Sequence, residues 1–155
     1  MHPRANEVDR FLVNVFHKIL KRESAMINAG MFSGLSLREM HVIQEIIDAC
    51  DAGESTRSGD IAQRLDVTCG TLTASVKALE QKGFVLRRRD DADKRVVNLE
   101  VTSKGMEAHR LHMAFHADMV DAALDGLNEA QVDALADALS RLDAYFQKKE
   151  ASGSL

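Results

Sequence analysis

Between Ser58 and Val101 the apolar residues change period once, at Gly83, and that handover limits the folds open to the chain. Before it, Ile61, Ala62 and Leu65, then Leu72, Val76 and Leu79, recur at helical spacing. After it, Phe84-Val85-Leu86 begins an extended run that Arg87-Arg88-Arg89 continues, and Val96–Val101 alternates well enough to be the returning strand. The pattern predicts a short helix over 58–65, a turn at Asp66-Val67-Thr68 and a second helix over 69–82. Gly83 suits the end of that helix, because a residue without Cβ accepts a left-handed backbone. A β-hairpin then follows, with Asp90-Asp91-Ala92-Asp93 as its charged tip.

Longer helices flank this segment. Val8, Phe11, Leu12, Val15, Ile19 and Leu20 mark one face of a helix over 5–28, ended by Asn28 and Gly30, with Gly34 loosening the next stretch. Ser36-Leu37-Arg38-Glu39 has the spacing of a capping box, in which two side chains satisfy each other's backbone donors. It opens a helix whose expected core stripe is Met40, Ile43, Ile46, Ile47 and Cys50, followed by a loop over 51–55. Thr102 is placed to cap a helix running to Leu124, which Gly126 breaks. Asn128 and Gln131 repeat the capping-box spacing before a last helix over 128–149. There Val132, Leu135, Leu139, Leu142 and Phe146 follow a coiled-coil-like seam, and the tail Ala151–Leu155 is expected to fray.

The expected fold class is therefore mainly α with a small β-hairpin wing: a winged helix-turn-helix with long terminal helices. Residues 35–101 would form a DNA-binding lobe, and 1–34 with 102–155 a helical dimerisation region. The terminal helices carry apolar faces wider than a small lobe can cover, which predicts a two-fold homodimer.

Composition narrows the class further. The chain has 155 residues, 45% of them hydrophobic, so a folded single domain is expected. Two cysteines, Cys50 and Cys69, make no disulfide framework and fit a reducing compartment. No apolar run is long enough to span a membrane, and the polar N-terminus is no signal peptide, so a cytoplasmic protein is expected. Net charge is −4, but residues 57–104 carry net +3 and the remainder −7. A basic centre between acidic ends predicts a local anion-binding surface.

In a helix-turn-helix the second helix lays its N-terminal half in the DNA major groove. Its polar face here would offer Thr68, Gly70, Thr71, Thr73, Ala74, Ser75 and Lys77. Hydroxyls and glycine permit close approach, and a helix N-terminus favours phosphate. From the hairpin, Arg89, Lys94 and Arg95 could reach the backbone or the minor groove. Any one of these pieces alone reads as an ordinary solvated helix or hairpin; the order of all of them points to DNA.

At this point the sequence resembles the MarR family of bacterial transcription regulators. The matching words are Asp60-Ile61-Ala62 to Leu65, Leu72-Thr73, Leu79-Glu80-Gln81-Lys82-Gly83-Phe84-Val85, Asp93-Lys94-Arg95 and Val101-Thr102-Ser103-Lys104-Gly105. The resemblance implies a dimeric regulator, a repressor that covers a palindrome in double-stranded DNA, with Arg95 in the minor groove and Asp93 orienting the wing. Ala74 stands where many members carry arginine, which removes one expected contact. The chain is especially similar to the family's fatty-acid-biosynthesis repressors, through Phe11-Leu12-Val13-Asn14-Val15-Phe16, Leu35–Ile43, Thr68–Thr73 and Phe115-His116-Ala117-Asp118-Met119-Val120. That likeness implies acyl groups on acyl carrier protein as the effector, with no cofactor required.

Histidines raise a second question. His109, His112 and His116 share a face of the helix 102–124 with Met106, Met113, Met119 and Val120, and His41 lies nearly opposite the Met40-Ile43-Ile47 stripe. Three readings stay open: hydrogen-bonded core or rim histidines, a ligand groove for an acyl chain, or zinc sensing. His112 and His116, at i and i+4, have good metal spacing. Resemblance to zinc-responsive members would add His41 and Glu23, although the thiolate expected a few residues later is missing, with Ala29 nearby. Cys69 at a helix N-terminus could act as a redox switch, but a small tolerated residue is the favoured reading. A metal-dependent enzyme or a winged helix used only for protein contact stand as other classes. The first lacks a phosphate loop, a nucleophile elbow and His-Glu-x-x-His, and the basic wing argues against the second.

Overall fold

A computed structural model describes residues 3–29, 34–90 and 93–152. The elements are α1 (Ala5–Asn28), α2 (Leu37–Asp51), α3 (Ser58–Arg64), α4 (Cys69–Gln81), β1 (Val85–Arg89), β2 (Val97–Val101), α5 (Ser103–Leu124) and α6 (Glu129–Ala151). The architecture is the mainly helical one with a two-stranded antiparallel hairpin, in which Val85 faces Val101 and Arg89 faces Val97. Gly30, Asp91, Ala92 and the last three residues of the tail lie outside the described residues. The last helix runs on to Ala151, past the end expected at 149.

Two compact units are present, residues 1–113 and 114–155. The first holds the core. Met40, Ile43 and Ile46 of α2, Ile61 of α3, Leu72, Val76 and Leu79 of α4, then Phe84, Val85 and Leu99 of the hairpin are all nearly inaccessible. Each such side chain contributes roughly 1.5–3 kcal/mol on leaving water. The α2 stripe needs correction. Val42 and Ala49 are buried, whereas Cys50 is exposed, because at the end of α2 its side of the helix opens onto a cleft beside Asn98 and Met106.

Local chemistry sets the element ends. Ser36 and Glu39 make the capping box: Ser36 N–H donates to Glu39 Oε2 at 2.6 Å, and Glu39 N–H to the Ser36 hydroxyl at 3.3 Å. Asn128 and Gln131 do the same for α6, at 3.1 and 2.9 Å. Gly83 ends α4 at φ +78°, and Asp66 takes φ +50° in the turn between α3 and α4. Thr102 opens α5, its hydroxyl accepting Gly105 N–H and donating to Gly83 O at 2.8 Å. Gly105 is required for a different reason. A Cβ there would stand 2.5 Å from both Phe84 O and Val101 Cγ1, so α5 can cross the hairpin this closely only without one.

In the second unit, α6 presents Leu135, Leu139, Tyr145 and Phe146 to solvent in the single chain. Within the first, α1 likewise exposes Val8, Phe11, Val13 and Phe16. No described helix is long and apolar enough to cross a membrane.

Candidate nucleic-acid interface

Helix α4 rests on α2 and α3 through Leu72, Val76 and Leu79, so its opposite face looks outward. Thr68, Gly70, Thr73, Ala74 and Lys77 are exposed there, and Thr71 is half-buried. Ser75 is not on that face. It is buried, and its hydroxyl donates to Thr71 O at 3.3 Å. The reason is geometric: Ser75 lies one turn before Leu79 and shares its inward side. Thr68 caps the helix by accepting Thr71 N–H at 3.1 Å, and its hydroxyl meets that of Thr71 at 2.9 Å. Thr73 donates to Cys69 O at 2.7 Å, which leaves its oxygen lone pairs outward. No acidic residue stands in the first turn of α4, so the positive end of the helix is uncompensated and open to a phosphate.

The hairpin sorts its arginines. Arg87 pairs with Glu80 at 2.9 Å and Arg88 with Glu100 at 2.8 Å. Arg89 is exposed with no ion-pair partner among the described residues. Lys94 and Arg95 are exposed near the tip. Asp93 takes Arg95 from two directions. Its Oδ1 accepts the Arg95 backbone N–H at 3.0 Å and Nε–H at 3.2 Å, and Oδ2 accepts Nη2 at 3.4 Å. These hydrogen bonds from Arg95 hold the Asp93 carboxyl below its usual range. The pair aims a guanidinium whose side chain is 92% exposed. An isolated bridge between Arg57 and Asn98, with Leu99 N–H donating to Thr56 O at 3.0 Å, roots the wing to the start of α3.

One contact escaped the sequence reading. Lys82, just past the end of α4, donates to both oxygens of Glu39 at 2.7 and 2.8 Å and to Gly34 O at 3.0 Å. It fastens the recognition helix to the capping box of α2. Burial raises the Glu39 carboxyl, but hydrogen bonds from Lys82 and Ser36 outweigh it and leave the group below its usual range. The available signal was a lysine immediately before the helix-ending glycine, which by itself reads as an ordinary favourable cation at a helix C-terminus.

The histidine cluster is partly assembled. His112 is buried, and its Nε2 lies 3.1 Å from Glu23 Oε1, itself buried on α1. The exposed His41 ring sits 6.4 Å from that of His112, centroid to centroid. His116 follows one turn further along α5, and His109 is half-buried with no hydrogen bond to its Nδ1 among the described residues. Met106, Met113 and Val120, expected beside these imidazoles, are exposed in the single chain. Cys69 is exposed at the first turn of α4.

The sequence pattern of the MarR family matches residues 35–97, the segment from the start of α2 to the start of β2. Over nearly its whole length the chain superposes on FabT of Streptococcus pneumoniae, solved in complex with DNA. The TM-score is 0.80 at 32% identity, covering 92% of this chain and 97% of FabT. This chain belongs to the MarR family. It is also 28% identical over 116 residues to the transcriptional repressor YetL of Bacillus subtilis, spanning 72% of this chain and 68% of YetL. A MarR family protein of Bacillus stearothermophilus shares the fold at TM-score 0.75 and 16% identity, over 95% and 99% of the two chains. The chain is thus a DNA-binding transcriptional regulator of MarR type, and its relatives are regulators rather than enzymes.

Proposed function

We propose that this MarR-type regulator is a cytoplasmic repressor that binds a palindromic operator as a homodimer. In this reading 35–101 is the DNA-reading lobe, and 1–34 with 102–155 form the dimer. The observation that carries it is the exposed, acid-free N-terminal half of α4 beside the Asp93-aimed Arg95, in a chain so similar to a protein solved on DNA. Thr68, Gly70, Thr71, Thr73, Ala74 and Lys77 approach the major groove, while Arg89, Lys94 and Arg95 follow the backbone or the minor groove. The uncovered apolar residues of α1 and α6 support the dimer, since soluble monomers rarely leave such stripes open.

The operator we assign to fatty-acid synthesis genes, with an acyl group on acyl carrier protein as effector. This rests on the sequence words shared with the fatty-acid repressors. Genomic fragments retained by the purified protein would be sequenced. A palindrome upstream of such genes, released by long-chain acyl carrier protein but not by the unacylated carrier, is the expected result. No common palindrome, or one beside unrelated genes, would refute the assignment.

Zinc response is the second reading, favoured by the buried Glu23–His112 pair with His41 alongside. A carboxylate and imidazoles suit zinc, and Glu23, His41, His112 and His116 would hold it. The same pair also serves as a plain buried hydrogen bond. Calorimetric zinc titration separates the two: tight uptake lost in both Glu23→Gln and His41→Ala supports a metal site. Uptake indifferent to either change ends this reading.

A further inference from the structure

Residues 56 and 57 run beside β2. Leu99 N–H donates to Thr56 O at 3.0 Å, and Arg57 bridges Asn98 in antiparallel register. On its other side Asn98 faces Arg88 of β1. Residues opposed in this way share one face of a sheet, so Arg88, Asn98 and Arg57 form a row on the face away from the buried Leu99. Arg88 is tied to Glu100. Arg57 is exposed, its side chain does not cap α3, and no hydrogen bond or ion pair holds its guanidinium among the described residues.

Asp93 is the anion within its reach. Hydrogen bonds from Arg95 do most to keep that carboxyl below its usual range, and the Arg57 charge adds to them. Strand geometry agrees. Asn98 stands three positions from Arg95, about 10 Å of extended chain, and an arginine side chain set beside Asn98 spans much of that. The Arg95 guanidinium is held loosely: its contacts to Asp93, at 3.2 and 3.4 Å, exceed the roughly 2.7–2.9 Å of a strong charge-assisted bond. Asp93 is anchored more firmly. Its Oδ1 also accepts the Arg95 backbone N–H at 3.0 Å, and its own N–H donates to Asp90 Oδ1 at 3.0 Å. When Arg95 turns to a phosphate, the Asp93 carboxylate therefore stays behind, with a second carboxylate in the same turn, facing a polyanion that repels both.

We propose that Arg57 is a positioning residue of the wing, supplying the counter-charge that holds Asp93 in place once Arg95 has turned to DNA. Arg57 is rooted in the sheet and not in the tip, so it does not leave with Arg95. Lys94 lies in the tip and is itself assigned above to the DNA. The inference rests on that reading of the wing. It makes Arg57 count in the complex and little in the free fold.

Affinity of the full-length protein for the genomic fragment it retains most strongly would be measured by fluorescence anisotropy at one fixed salt concentration. The variants are Arg57→Gln, Arg57→Lys, Asp93→Asn and the Arg57→Gln/Asp93→Asn double. Arg57→Gln should weaken binding about two- to fivefold, the range of an exposed charge pair, and Arg57→Lys should keep most of the affinity. In the Asp93→Asn background the same Arg57→Gln change should cost nothing further. Thermal unfolding of free Arg57→Gln should match the parent. An equal loss with and without Asp93 would make Arg57 a direct phosphate contact and overturn the proposal. So would a lowered melting temperature accompanying the loss, or no loss at all. Arg95→Ala separates this inference from the reading beneath it. If that variant binds as the parent does, the wing reading fails and the inference with it; if it binds more weakly while the Arg57 and Asp93 effects simply add, only the inference fails.

Discussion

Replacing Gly105 by alanine sets two effects of opposite sign against each other. Alanine is a better helix former than glycine by up to about 1 kcal/mol, and less than that in a first turn. Against this, the new methyl would lie 2.5 Å from Phe84 O and Val101 Cγ1, where ordinary contact begins near 3.5 Å. The valine methyl can turn away. The carbonyl cannot, because it is main chain and accepts Thr102 N–H at 3.0 Å, so α5 itself must shift. Overpacking of this kind costs about 1–3 kcal/mol, and a rigid backbone partner puts it in the upper part. The net expectation is a loss of about 1–2 kcal/mol, or roughly 3–8 °C in Tm for a chain of this length. Thermal unfolding followed by circular dichroism at one fixed protein concentration reads it. Gly70→Ala is the control: its Cβ would meet only Thr68 Oγ1, at 3.8 Å, so the helix gain is unopposed and Tm should hold or rise. If Gly105→Ala melted at or above the parent temperature, the close crossing of α5 over the hairpin would be wrong.

Arg95→Ala should weaken operator binding and lower the slope of log affinity against log salt by about one unit, if this exposed guanidinium neutralises one phosphate; an unchanged slope removes it from the interface. Glu39 has a lowered carboxyl pKa in the folded state, so its contribution is present above the unfolded value of about 4.5 and is lost as pH falls through the folded one. Urea midpoints taken from pH 6 to pH 3 should therefore drop below pH 4.5, with a shallower drop in Glu39→Gln; identical profiles would leave the Lys82 clamp without energetic weight. Leu139→Asp, on an exposed part of the α6 stripe, should shift sedimentation toward the monomer with little loss of helical signal. A dimer as tight as the parent's would exclude that stripe from the interface.

The sequence by itself determined what depends on near neighbours. The change of period at Gly83, the two capping boxes at Ser36 and Asn128, and the cap at Thr102 involve groups within a few residues of one another, and each element formed where its spacing placed it. Because those elements follow in a diagnostic order, the regulator class was legible as well. Tertiary structure decided which side of each helix met another surface. Cys50 keeps the spacing of the α2 stripe, yet its neighbour Ala49 is buried while Cys50 itself faces an open cleft. Ser75 goes inward because α2 and α3 cover a wider arc of α4 than its leucines and valine alone mark out. Glu23 meets His112 across 89 positions, and Lys82 meets Glu39 across 43. No local pattern encodes such pairs, since each residue alone is an ordinary charged or polar position on its own helix. Gly105 belongs with them. In sequence it is a weak helix residue near a cap, and only the crossing of α5 over the hairpin makes its missing side chain a requirement.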